Sequence, residues 1–87
     1  MAFNVVLTYS FKKDLKQIAK KHRSILKDIG LLINELAKNP TKGAHLGQGI
    51  YKIRLSITGT TKGKSGGARV ITYVKIINKT VILAEIY

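Results

Sequence analysis

Cysteine and tryptophan are absent from this 87-residue chain, proline occurs once, and only four residues are acidic. The lack of cysteine rules out a disulfide framework and any thiolate zinc site. No apolar run approaches the roughly 20 residues that a bilayer crossing requires. The opening stretch, MAFNVVLTYSFKK, has no basic region ahead of its apolar residues, and Asn4 and Thr8 interrupt them, so it does not read as an export signal. These absences point to a soluble, cytoplasmic protein. No internal repeat or linker divides residues 1–87, which read as a single domain. A chain of this length buries only roughly 60–65% of the surface that its unfolded form exposes, so its core is small and its stability modest.

The scarcity of acid has a counterpart. Sixteen lysines and arginines face the four carboxylates, for a formal net charge of +12. A field of that sign draws polyanions, such as nucleic acid or an acidic protein, and its self-repulsion is relieved when one binds.

Along the chain, Phe3–Tyr9 is β-branched and aromatic and predicts a strand. Ser10 offers an N-cap for a helix over FKKDLKQIAKKHR, where Phe11, Leu15, Ile18 and Ala19 recur at helical spacing. A second stripe (Ile25, Leu26, Ile29, Leu32, Ile33, Leu36) predicts a helix from about Ser24 to Lys38, ended by Asn39-Pro40. TKGAHLGQG (41–49) reads as a loop. In IYKIRLSI, Tyr51, Ile53, Leu55 and Ile57 alternate with Lys52, Arg54 and Ser56. TGTTKGKSGG reads as a loop, Ala68–Ile77 as a strand, Asn78-Lys79 as a tight turn, and Thr80–Tyr87 as a last strand. The expected fold is α+β, in the order β-α-α-β-β-β. It has an antiparallel sheet and a two-helix hairpin packed on one face. The other face is left open and basic. Lys52 and Arg54 share it by parity, and Arg69 joins them if the hairpin register aligns. Parity also groups Tyr87 with Val81, Leu83 and Glu85.

GTTKGKSGG invites comparison with the nucleotide loop G-x-x-x-x-G-K-[ST], but Gly59 lies one residue too close to Gly63. A strand rather than a helix follows, so the helix N-terminus that completes such an anion site is missing. His22 and His45 lie in different segments, without acidic neighbours at ligand spacing, so no metal site is expected. His22 suits a helix C-terminus; His45, in a glycine-flanked loop, is a candidate ligand contact. Asp14, Asp28, Glu35 and Glu85 are too scattered for a paired acid/base mechanism, and Asp14 reads as a charge near a helix start. The remaining chemistry is cationic: Lys52, Arg54, Lys62, Lys64, Arg69 and the phenol of Tyr87. Such a set binds phosphate. It can also promote attack of a ribose 2′-hydroxyl on the adjacent phosphorus. Arginine forks stabilise the phosphorane charge, a lysine serves as a candidate base, and a tyrosine stacks or donates a proton. No metal or other cofactor is required.

The segments KIR (52–54), KGKSGGARVI (62–71) and IY (86–87) resemble the RelE/ParE superfamily of toxins of type II toxin–antitoxin systems, and within it the HigB-like branch. The resemblance spans nearly the whole chain in element order. Its specific part runs from Tyr51 to Tyr87, and YSFKKDL (9–15) matches only loosely. It implies a small toxin that enters the ribosomal A site and cleaves mRNA during translation. It also implies a hetero-complex with an antitoxin that is acidic or of helix-turn-helix type. Lys52, Arg54 and Arg69 would border the scissile phosphate, Tyr87 would stack or transfer a proton, and Lys62 and Lys64 would contact RNA; His45 is a candidate RNA contact from its loop position alone. Relatives continue past the tyrosine with a polar segment carrying another lysine, whereas this sequence stops at Tyr87. The same superfamily includes gyrase poisons. The alternatives are therefore a non-catalytic gyrase inhibitor and an inactive remnant that binds RNA or antitoxin.

Overall fold

The computed structural model describes residues 2–56 and 67–87. The chain runs β1 (Asn4–Leu7), α1 (Tyr9–Lys21), α2 (Ile25–Lys38), β2 (Ala44–Gly47), β3 (Ile50–Leu55), β4 (Ala68–Lys75) and β5 (Thr80–Ile86). The five strands form one sheet in the order β1-β5-β4-β3-β2. The expected α+β architecture is present, with two refinements. β1 pairs parallel to β5, so the sheet is mixed rather than wholly antiparallel. The stretch read as a loop at 41–49 contains β2, an edge strand antiparallel to β3. β2 is short, glycine-bounded and exposed along most of its length, and so lacks the buried apolar alternation by which strands are recognised. Its approach to β3 depends on Gly43, whose φ of +104° no side chain favours and where an added Cβ would lie 2.6 Å from the Lys52 carbonyl oxygen.

Both helices pack on one face. Phe11 and Leu15 of α1 and Ile25, Ile29, Leu32 and Leu36 of α2 meet Ile53, Val70, Val74, Val81, Leu83 and Ile86 in a single core. Helical spacing predicts these positions well, apart from Leu26, which is 53% exposed. The first helix starts earlier than its serine implies. Thr8, not Ser10, is the N-cap, its Oγ1 accepting from the Phe11 N–H at 3.1 Å. As a result Asp14 is the sixth residue of α1 and lies beyond its first turn. His22 is the C-cap, its N–H donating to the Ile18 carbonyl at 2.9 Å, as the sequence leads one to expect.

An irregularity in β5 decides which of its side chains reach the open face. Ile71 pairs with Glu85 but Thr72 pairs with Leu83, so Ala84 is an extra residue, a β-bulge. Val81 and Leu83 face the core, and beyond the bulge Ile86 takes the core position while Glu85 turns outward. The parity argument that grouped Tyr87 and Glu85 with Val81 and Leu83 is therefore corrected: both stand on the opposite face. Thr8 anchors the bulge. Its hydroxyl lies 3.2 Å from the carbonyl oxygens of both Leu83 and Ala84, and its N–H donates to the Leu83 carbonyl at 3.2 Å.

Candidate nucleic-acid interface

The sheet face away from the helices carries side chains in cross-strand rows. The register places Arg54 directly opposite Arg69, and Arg69 exchanges two backbone hydrogen bonds with Tyr87, at 2.8 and 3.0 Å. Arg54, Arg69 and Tyr87 thus form one row across three adjacent chain segments. The next row is Lys52, Ile71 and Glu85, and the one beyond it is Ile50, Tyr73, Ile82 and Val6. Successive rows are two residues apart, or about 6.8 Å.

The sequence thus predicts four residues that the fold brings together: Lys52, Arg54, Arg69 and Tyr87. Hairpin register brings in Arg69, and the bulge at Ala84 brings in Tyr87. His45 goes elsewhere. It pairs with Tyr51, whose alternation with the buried Ile53 puts it on the helix side, and the two rings stack at 4.7 Å. Lys62 and Lys64, expected in the loop, lie outside the described residues.

Electrostatically the row is unfinished. Like charges directly opposite on adjacent strands lower stability, by up to about 1 kcal/mol. Among the described residues, neither arginine has a carboxylate partner; Glu35 pairs with Lys42, at 2.8 Å on the surface. A guanidinium cannot shed its charge. Two of them side by side therefore create a site that an anion completes, and their planar forks suit a phosphate with two free oxygens. Arg54 is exposed and Arg69 half-buried, so the row is open to a polymer passing over it.

Two members of this face escape sequence reasoning. Glu85 is placed here only by the bulge, which leaves no mark in a strand whose residues otherwise alternate. Tyr73 could be found by its parity with Arg69, but it lies in an apolar run that reads as core. With Gln48, Ile50, Ile71, Thr72 and Ala84 they line an open cavity of about 480 Å³. A second concavity, of about 600 Å³, belongs to the helices: Tyr9, Leu15, Ala19 and Leu26 line it, and Lys12, Lys13 and Lys16 rim it. No residue of that groove is on the open sheet face. No group of three or more potential metal ligands occurs among the described residues. No helix among them is long and apolar enough to cross a membrane.

No protein-family model matches the chain, and no curated protein matches it. Among solved structures it is similar to a free-state double arginine-to-alanine mutant of the E. coli toxin RelE. The TM-score is 0.69 at 21% identity, over 99% of this chain and 82% of the other. A likeness at that identity speaks for backbone architecture: the chain has the RelE fold.

Proposed function

We propose that this protein is the toxin of a type II toxin–antitoxin pair and acts as an endoribonuclease on mRNA in the ribosomal A site. The observation that carries the reading is the Arg54–Arg69 pair on an uncovered sheet face, with Tyr87 and Lys52 beside it. The motif resemblance over Tyr51–Tyr87 and the fold shared with a protein named as a toxin point the same way.

In this reading the two guanidiniums hold the non-bridging oxygens of one phosphodiester. As the 2′-oxygen bonds to phosphorus and the bond to the 5′-oxygen breaks, charge builds on those oxygens, where the arginines stabilise it more than in the ground state. One proton leaves the 2′-hydroxyl and one is delivered to the 5′-oxygen; Lys52 and the Tyr87 phenol are the groups assigned to these transfers. Guanidinium supplies the charge stabilisation that a metal ion supplies elsewhere, so the scheme is metal-independent. The partner that silences the toxin is an acidic antitoxin. A segment with apolar and acidic faces would complement the lysine-rimmed groove at Tyr9 and Leu26.

The test is inducible expression of the wild-type chain and of Arg69→Ala. The wild type should arrest growth. Arg69→Ala should not, while retaining its circular dichroism spectrum and its binding to the protein encoded beside it. Full toxicity of Arg69→Ala would remove Arg69 from the mechanism. Growth arrest with DNA damage and no RNA cleavage would instead identify a gyrase inhibitor, and no arrest by the wild type an inactive remnant.

A further inference from the structure

Half of the open sheet face has no part in the cleavage chemistry. Two rows from the arginine pair, Ile50, Tyr73, Ile82 and Val6 form an apolar row across four strands, with Tyr73 38% and Val6 48% exposed. The open cavity of about 480 Å³ spans this row and the next one, Ile71 and Glu85, which adjoins the arginine row. Its lining is chemically sorted. One aromatic ring, two isoleucines and Ala84 form apolar walls, and Glu85 and Gln48 supply polar side chains, with Thr72 also in the lining.

That lining excludes a phosphate, because the one charged group in it is a carboxylate. It suits a flat, uncharged group with a face that stacks on an aromatic ring and an edge that donates hydrogen bonds. Joined to a phosphate two rows or fewer away, such a group is a nucleobase. Glu85 is free to serve it: among the described residues it forms no ion pair, although Arg69 is its diagonal neighbour across the sheet. An ionised carboxylate accepts hydrogen bonds and donates none. The edges of cytosine and adenine offer an exocyclic amine, and guanine offers donors too, whereas uracil presents carbonyl oxygens on either side of a single N–H.

We infer that this cavity receives the base next to the phosphate held by Arg54 and Arg69, with Tyr73 as its stacking platform. Glu85 selects bases that carry an exocyclic amine over uracil. The inference rests on the reading of this face as an RNA site and adds a specificity-determining residue to it.

The probes are 2′-O-methyl pentamers of cytidine and of uridine, which cannot be cleaved, titrated with the full chain and followed by fluorescence anisotropy. The cytidine pentamer should bind about tenfold more tightly than the uridine pentamer, the value of one good side-chain-to-base contact. Glu85→Gln, an exposed change that leaves the fold intact, should bring the two within a few-fold, because an amide also donates to uracil carbonyls. Tyr73→Ala should weaken both by about tenfold through lost stacking. Arg54→Ala should weaken both alike and leave their ratio unchanged. Equal binding of the two pentamers by the wild type, or an unchanged ratio in Glu85→Gln, overturns the base pocket while Arg54→Ala still shows the face to bind RNA. If neither pentamer binds, or Arg54→Ala binds as well as the wild type, the RNA reading fails and the inference falls with it.

Discussion

Arg54 and Arg69 are an arrangement that a strand pair without a ligand would not favour: two fixed positive charges, directly opposite, on a face with room for other residues. A local rule broken at a solvent-facing position is a sign of function. The parity of Lys52 and Arg54 is legible in the sequence, because a strand with one buried face has a period of two. That Arg69 meets Arg54 rather than a neighbour is not, since register depends on how the intervening residues close the hairpin. A second broken rule lies inside the molecule. Thr72 is fully buried on the helix side of β4, and among the described residues its hydroxyl oxygen has no hydrogen-bond partner. A buried hydroxyl without a partner is unfavourable, and valine has nearly the same shape. Thr72→Val should therefore raise the free energy of unfolding by about 1 kcal/mol, read as a higher urea midpoint with an unchanged slope. A lower midpoint would mean that the hydroxyl is satisfied by a partner such as a buried water.

At the scale of elements, the link between fold and site is the contact of Thr8 with the bulge at Ala84. One threonine caps α1 and its hydroxyl meets the carbonyls of Leu83 and Ala84 at the bulge. The position of Glu85 and Tyr87 on the open face of the sheet follows from that bulge. Thr8→Ala should cost about 1–2 kcal/mol, the usual value of an N-cap, in chemical denaturation. It should also raise amide exchange over Leu83–Tyr87 more than over β3. Equal loss of protection in both strands would separate the cap from the bulge. These features also mark the limit of what the sequence discloses. The two amphipathic helices, β3, β4 and β5 announce themselves by apolar periodicity and β-branched runs. β2 has no such pattern, Ser10 is an equally good cap by residue type, and nothing in TVILAEIY (80–87) marks where the alternation slips by one.

Over the whole molecule, charge and architecture are complementary. Two helices can cover only one side of a five-stranded sheet, so the core and the site occupy opposite faces of the same strands. The excess of twelve positive charges works against the folded chain on its own and for any complex with a polyanion. An acidic antitoxin over the helices and RNA over the sheet would each relieve it. The central claim is that the arginine row cuts RNA, and sequencing RNA 5′ ends after a short pulse of expression tests it most directly. The wild-type chain should create new ends inside translated messages, in phase with codons, and the Arg54→Ala/Arg69→Ala double variant, expressed to the same level, should create none. Identical ends from both proteins, or none from a wild-type chain that still stops growth, would contradict the account.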